Sequence, residues 1–245
     1  MEQYYEMLIK RKSNRKYDES LTISPAEMLV IEAELVKLKP LTSDIKVAFS
    51  IVKRSETTAK FGEYCLLMFS EKIGDYLLNA GYMLEQMDLF FTSLNIGSCW
   101  YGLSKPKKQI HDGLSYVIMI TFGKSAAKDF RESFSDFKRK AQTDVWKGDF
   151  NKNVMKMSLL APSAVNSQPW YIESSDSLVS VYRNHAIKTF IPSSKRGFFN
   201  TIDLGIFLFF LEVSLNHENI TYERKLFDSS VTGVNLIKIA QYQIK

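Results

Sequence analysis

Two long segments with apolar residues at helical spacing constrain the fold of this chain more than any other feature. The first runs from Tyr76 to Asn95 and the second from Asn200 to Asn216. In both, large apolar residues cover most of the helical circumference, which is typical of a helix that is buried on most sides. At 1.5 Å per residue the first segment would be roughly 30 Å long. The sequence therefore predicts two central helices.

Shorter segments around these helices predict strands and further helices. One helix is predicted over residues 1–10. A second begins at Ser24, where Ser24 and Glu27 can form a capping box around Pro25, and ends near Leu38. A third is predicted over residues 150–160, and Gly97 is expected to end the first long helix. Strands are predicted over residues 45–53, 63–70, 99–103, 115–123, 168–174, 179–182, 220–227 and 236–243. Each half of the chain thus offers strands around one long apolar helix, although no exact sequence repeat is visible.

The composition is that of a globular protein. Of its 245 residues, 45% are hydrophobic and 13% aromatic, enough to form a large core. Two cysteines, Cys65 and Cys99, exclude a disulfide framework and fit a reducing compartment. No uninterrupted apolar run approaches the roughly 20 residues of a membrane span, and the N-terminal residues do not read as a signal peptide. We therefore expect a cytoplasmic protein without a membrane partner.

The positive charge is unevenly distributed along the chain. The formal net charge is +5, residues 10–16 hold five cations and no acid, and residues 138–140 read Lys-Arg-Lys. Nucleic acid and a small anionic ligand such as a phosphate are both candidate partners for such clusters. No helix-turn-helix, zinc-finger or RNP pattern is present, so we expect no nucleic-acid partner.

The first segment that could carry chemistry is the cationic turn after the first helix. It contains Arg11, Lys12, Ser13 and Arg15. The forked donors of arginine match phosphate oxygens, and a serine hydroxyl adds a neutral donor. A solvated basic helix end has the same composition, so this segment alone leaves both interpretations open.

The second segment lies between Pro162 and Pro169. Between these prolines stand Ser163, Asn166 and Gln168, whose hydroxyl and amide groups are suited to hydrogen-bonding the edge of a heteroaromatic ring. A turn between a helix and a strand is the alternative.

The third segment covers residues 95–102. Gly97 and Gly102 permit close backbone approach to a flat ligand, which Trp100 and Tyr101 could enclose. Ordinary core packing is the alternative for these aromatic residues.

In this order the three segments resemble the FMN-dependent nitroreductase family, and the resemblance covers nearly the whole chain. The segment from Pro162 to Pro169 matches the family's Pro-Ser-x-x-Asn-x-Gln-Pro motif, which flanks the flavin ring. By the same resemblance the cationic turn would hold the FMN phosphate and pyrimidine end, and backbone N–H groups near Tyr101 and Gly102 would donate toward flavin N5. The basic residues 138–140 match the family's second phosphate segment only loosely. The implied cofactor-binding residues are Arg11, Lys12, Ser13, Arg15, Trp100, Tyr101, Gly102, Lys138, Arg139, Pro162, Ser163, Ala164, Asn166 and Gln168.

The distribution of these motifs departs from the usual family pattern. Ordinary members carry the cationic turn and the proline-flanked motif in the same part of one chain and exchange them across a dimer interface. Here the turn lies in residues 1–145 and the motif in residues 146–245. This resembles a tandem branch of the family, in which two diverged half-units imitate the dimer, and Ile-Asp-Leu-Gly at residues 202–205 is similar to that branch too. The resemblance implies an α+β fold, with a mostly antiparallel sheet around long central helices, and it permits a monomer.

The resemblance also implies an activity. Such a protein would be an oxidoreductase that passes hydride from NADH or NADPH through FMN to an organic acceptor, such as a nitroaromatic or a quinone. No side chain is an evident acid or base and no metal-ligand spacing is present, so the cofactor would carry the chemistry. Two alternatives remain: a flavin-binding storage or sensing protein of the same fold, and a binder of nucleic acid or an acidic partner that holds no flavin.

Overall fold

Two long helices and two sheets form the centre of the structure. It is a computed structural model that describes residues 1–245 apart from the side chain of Ala127. The α-helices are α1 (Tyr5–Lys10), α2 (Pro25–Leu35), α3 (Tyr76–Ser93), α4 (Gln142–Val145), α5 (Lys152–Ser158) and α6 (Ser193–His217). The strands are β1 (Val47–Lys53), β2 (Tyr64–Ser70), β3 (Ile96–Trp100), β4 (Ile110–His111), β5 (Leu114–Lys124), β6 (Trp146–Lys147), β7 (Trp170–Ser175), β8 (Leu178–Asn184), β9 (Tyr222–Leu226) and β10 (Leu236–Ile244).

Helices α3 and α6 cross at two glycines. A Cβ atom on Gly81 would lie 2.0 Å from the carbonyl oxygen of Ile202, and one on Gly205 would lie 2.0 Å from the carbonyl oxygen of Leu78. Only glycine lets the two backbones approach this closely. Helix α6 is long and apolar enough by length and composition to cross a membrane, but 89% of its apolar window is buried inside the protein. It is a core helix of this fold, as the sequence predicts.

The two sheets share one strand order. In the first, β1, β2, β5 and β3 are neighbours in that order, and β4 pairs with β5. The second sheet has the corresponding order β7, β8, β10 and β9. An additional strand, β6, pairs with β7, and this pair is parallel. The other pairs are antiparallel. The long helix follows β2 in the first sheet and the corresponding strand β8 in the second, so the two halves of the chain repeat one topology.

The predicted α+β architecture, an antiparallel-rich sheet structure around long central helices, is confirmed. The capping box is also present, because Ser24 Oγ accepts from the Glu27 N–H at 3.2 Å and Glu27 Oε2 accepts from the Ser24 N–H at 2.9 Å. Both cysteines are free.

Several predicted boundaries were wrong. Helix α2 ends at Leu35 instead of Leu38, and α6 begins at Ser193 instead of Asn200, since the polar residues of its first turns hide the helical pattern. Gly97 does not end α3. It lies within β3, where it pairs with Gly123 of the neighbouring strand β5. The chain instead turns at Asn95, whose φ is +55°.

Candidate functional site

A cavity of about 590 Å³ brings the three predicted segments together. This volume lies within the roughly 300–1,000 Å³ of typical small-molecule sites. Residues from both halves of the chain form its wall. The predicted residues that line it are Arg11, Ser13, Arg15, Trp100, Tyr101, Gly102, Pro162, Ser163 and Ala164.

The other predicted residues do not line this cavity. Asn166 is exposed and binds the basic segment: its Nδ2 donates to the Lys138 carbonyl at 2.7 Å, and its Oδ1 accepts from Arg139 Nη1 at 3.0 Å. Gln168 Oε1 accepts from the Lys140 N–H at 2.9 Å. Residues 138–140 therefore hydrogen-bond to the proline-flanked loop but do not line the cavity. Lys12 is half-buried and also lies away from the cavity wall.

The proline-flanked loop has an unusual backbone. Val165, Asn166 and Gln168 have φ values of +49°, +56° and +48°. This left-handed region is unfavourable for a β-branched residue such as Val165, and strain of this kind persists where the surrounding structure fixes it. The fixing bonds here run from the Gln168 N–H to Ser163 Oγ, and from the Ala164 N–H to Asp203 Oδ1, both at 2.9 Å.

Arg11 lies in the cavity wall and is held there by two side-chain hydrogen bonds. It is only 2% exposed, its Nε donates to Asp88 Oδ2 at 2.7 Å, and its Nη2 donates to Ser13 Oγ at 3.1 Å. Burial lowers the pKa of Arg11, but the carboxyls of Asp88 and Glu85 more than offset this, so the pKa is raised. Arg11 is therefore a fixed cation.

The carboxyls beside Arg11 also hold the indole of Trp100. Its Nε1 donates to Glu85 Oε2 at 3.0 Å and to Asp88 Oδ2 at 3.2 Å. Burial and the neighbouring Asp88 raise the pKa of Glu85 well above its usual range, against the smaller opposing effects of Arg11 and the Trp100 hydrogen bond. Arg11 thus lies between two buried carboxyls, at 2.7 Å from Asp88 Oδ2 and 4.0 Å from Glu85 Oε1.

Two further arginines lie close to Arg11 without a carboxylate partner. Burial and the charge of Arg11 lower the pKa of Arg131 to about 10, and burial with the charges of Arg131 and Arg11 lowers that of Arg139 to about 9. Neither forms an ion pair within 4 Å among the described residues, and Arg139 Nε is buried without a hydrogen-bond partner there. Their guanidinium carbons lie 4.2 and 5.1 Å from the ring centre of Phe137. The excess positive charge favours an anion at this point.

Sequence reasoning missed several residues of the site. Arg131 lies among mixed charges and carries no motif signal. Phe190, Phe199 and Lys195 line the cavity from the start of α6 and the residues before it, where no motif marks them. The sequence marks Asp203 only through the likeness of residues 202–205 to the tandem branch, yet this residue lies in the cavity wall.

Asp203 is a buried carboxyl with one bonded and one free oxygen. It is 3% exposed, Oδ1 accepts from the Ala164 N–H, and Oδ2 has no hydrogen-bond partner within the described part of the chain. Burial raises its pKa to about 8, against the smaller opposing effects of the Ala164 N–H and the Ser167 hydroxyl. The described residues contain no cluster of three or more His, Cys, Asp or Glu side chains that could bind a metal.

One end of the cavity offers a backbone donor. The Tyr101 N–H donates to the Met119 carbonyl at 2.9 Å and is therefore occupied. Of the two N–H groups that the sequence singles out, that of Gly102 is the one remaining for a ligand.

The comparisons with known proteins assign the chain to a nitroreductase-like class of oxidoreductases. The model of the family described as "Putative TM nitroreductase" matches residues 3–215, and the chain belongs to this family. A crystal structure of a "putative nitroreductase" from Thermotoga maritima MSB8 is 19% identical, with a TM-score of 0.64, covering 98% of this chain and 93% of that one. This similarity shows the fold.

A second solved structure matches more weakly. It is a "Putative NADH dehydrogenase/NAD(P)H nitroreductase" from Bacteroides thetaiotaomicron VPI-5482, 13% identical, covering 54% of this chain and 91% of that one at a TM-score of 0.44. No curated protein matches the chain.

Proposed function

We propose that this protein is an FMN-dependent oxidoreductase that transfers hydride from a nicotinamide nucleotide to an organic acceptor, such as a quinone or a nitroaromatic. The observation that carries the proposal is the single cavity in which Arg11, Ser13 and Arg15 face Pro162, Ser163 and Ala164. These segments come from different halves of the chain, and folding brings them to one site.

The residues present fit FMN. The FMN phosphate carries about −1.5 to −2 charges at neutral pH. Of the three neighbouring arginines, Arg11 is paired with buried carboxyls, whereas Arg131 and Arg139 form no ion pair within 4 Å among the described residues. The buried, unpartnered Nε of Arg139 is a donor without an acceptor. An anion bound at Arg11 in the cavity wall would offset part of the mutual repulsion of these arginines.

The roles of the chain's own residues follow from their positions. Bound FMN would supply the hydride chemistry. Arg11 and Ser13 would hold the phosphate, while Arg15 would set a positive charge at the pyrimidine end. Trp100 and the strained loop from Pro162 to Val165 would enclose the ring, and the Gly102 N–H would donate to its edge.

A second cavity, of about 830 Å³, supports NADPH as the preferred donor. It shares Arg15 and Phe61 with the first, so the two are contiguous. Six cations and three acids line it, and Lys53 and Lys60 are exposed there without an ion pair within 4 Å among the described residues. The additional phosphate of NADPH would meet this net positive charge.

We also propose that residues 1–145 and 146–245 are diverged half-units that imitate the two subunits of a dimer. The shared strand order supports this, as do Gly81 and Gly205 at the helix crossing. Asn95 and Asn219 each stand fourteen residues after these glycines, with φ values of +55° and +56°. On this proposal one chain builds a complete FMN site.

The test is the visible spectrum of the purified protein incubated with FMN, followed by anaerobic addition of NADPH or NADH. We expect bound flavin that bleaches, faster with NADPH, and steady donor oxidation once a quinone is added. Bleaching without turnover would leave a flavin-storage or sensing protein. Absence of flavin binding would overturn the proposed function.

A further inference from the structure

The carboxyl of Asp203 has no ion-pair partner although it is buried. The charged groups that share its cavity are Arg11, Arg15 and Lys195, and none of them lies within 4 Å of it. Its Oδ1 holds the proline-flanked loop through Ala164, and the Ser167 hydroxyl of the same loop lies close enough to lower its pKa. Its Oδ2 has no hydrogen-bond partner among the described residues. Burying such a group is costly, so its presence needs a reason.

The other half of the chain shows that the loop does not need an acid. Asn79 stands two residues before Gly81 on α3, as Asp203 stands two residues before Gly205 on α6. Its Oδ1 accepts from the Leu41 N–H at 2.7 Å, directly after Pro40, and its Nδ2 is also unpartnered. An amide therefore makes the same loop contact, and it does so outside the cavity wall.

The fold therefore does not require an acid at position 203. Of the two equivalent positions, 79 and 203, only position 203 lies in the cavity wall, so its carboxyl can act on a bound molecule. We propose that Asp203 donates the proton that the acceptor needs during reduction, an inference that rests on the proposed function. In the reduction of a quinone, hydride from reduced flavin brings two electrons and one proton. The carboxyl O–H of Asp203 breaks as an O–H bond forms on the quinone oxygen, which completes the hydroquinone. The carboxylate then regains a proton from water.

The environment of the carboxyl suits this role. Burial raises the pKa of Asp203 to about 8, so it still carries its proton at neutral pH, and a donor is most effective when its pKa lies near the working pH. Besides the charged groups Arg11, Arg15 and Lys195, the cavity wall contains the phenol hydroxyl of Tyr101.

The test compares two acceptors in the FMN-loaded protein. A quinone needs a proton, whereas ferricyanide takes one electron and no proton. Asp203→Asn, which copies the native Asn79, should lower the ratio of the quinone rate to the ferricyanide rate about 100-fold, the lower end of the range for general acids. Asp176→Asn is the matched control, because Asp176 is exposed in the turn between β7 and β8, and it should leave the ratio unchanged.

The pH profile gives a measurement that needs no variant. In the wild type the ratio of quinone to ferricyanide rates should fall above pH 8. An unchanged ratio in Asp203→Asn, an equal loss with both acceptors, or a pH-independent wild-type ratio would overturn the inference. A loop-holding role alone gives the second of these results.

A third measurement separates this inference from the proposed function. In the flavin-free protein, the ¹³C carboxyl resonance that Asp203→Asn removes should titrate near pH 8, and titration below pH 5 would overturn the inference. A wild type that binds no flavin, or whose flavin NADPH and NADH fail to bleach, would overturn the proposed function and the proton transfer with it, whatever the carboxyl titration shows.

Discussion

At the scale of single residues, Arg11 is the side chain on which the phosphate assignment depends most. Arg11→Ala should weaken FMN binding by about 1.5–3 kcal/mol, the value of a hydrogen bond to a charged group, or roughly 10- to 150-fold in Kd. The change also leaves Asp88 buried without its cation, which costs stability, so thermal unfolding should be recorded beside the FMN titration.

Lys12→Ala is the control for that experiment, because Lys12 belongs to the same basic turn but lies away from the cavity wall. Its FMN affinity should stay near that of the wild type. If Arg11→Ala also binds FMN normally, the phosphate belongs elsewhere, and Arg131 and Arg139 become the residues to change.

Asp203 makes the free energy of unfolding depend on pH in a specific direction. Its pKa is about 8 in the folded protein, above the ordinary value of 3.8 that applies to the unfolded chain. Below pH 4 both states hold the proton. Between pH 4 and 8 only the folded state holds it, so this contribution to stability decreases as the pH rises, by up to about 1.4 kcal/mol per pH unit.

Asp203→Asn removes that dependence. Relative to the wild type, the variant should therefore gain stability from pH 5 to pH 8, because other titrating groups cancel in the difference. Urea unfolding of both proteins across this range measures it. Parallel curves would mean that the Asp203 carboxyl is ionised in the folded protein.

At the scale of secondary-structure elements, the crossing of α3 and α6 determines whether the core can form. Gly81→Ala and Gly205→Ala each place a Cβ 2.0 Å from a backbone carbonyl oxygen, and backbone cannot move aside as a side chain can. The expected loss is about 1–3 kcal/mol for overpacking, despite the better helix propensity of alanine. Gly197→Ala on the same helix α6 meets nothing within 4 Å and should instead gain up to about 1 kcal/mol. Equal stability of Gly81→Ala and Gly197→Ala in urea unfolding would contradict this account.

The sequence predicts these elements where local chemistry decides them. The capping box at Ser24 and the apolar pattern of α3 are local signals, and both predictions are confirmed. The first turns of α6 and the position of Gly97 depend on tertiary packing: a Cβ on Gly97 would lie 2.0 Å from Ser125 Oγ, a contact that no local pattern reveals. The site follows the same rule. Nine residues of the cavity wall were predicted from motifs, whereas five other motif residues lie outside that wall. The pKa values of Arg131 and Asp203 depend on burial and on neighbours distant in sequence, which no motif reveals.

At the scale of the whole molecule, two pseudo-equivalent halves allow two flavin sites, but only one of these positions has the side chains that bind FMN. The second site would need a counterpart of the cationic turn before Leu160, where residues 151–153 read Asn-Lys-Asn. There the Asn151 side chain accepts from backbone N–H groups of α5, and its Nδ2 donates to Glu218 at 3.0 Å. The counterpart of the proline-flanked loop, residues 39–42, reads Lys-Pro-Leu-Thr and lacks the amide side chains.

A phosphate at the second site would forgo two or more charged hydrogen bonds of about 1.5–3 kcal/mol each, which raises Kd some hundreds-fold. We therefore expect one FMN per chain and a site that one chain completes by itself. Flavin released on denaturation, divided by protein concentration, should give a ratio near one, and light scattering of the loaded protein should give a mass near the 28.2 kDa of a single chain. A ratio near two would contradict the single site. A loaded protein with the mass of a dimer that loses its flavin when it dissociates would show that two chains build the site together, and the half-units would then not replace a dimer.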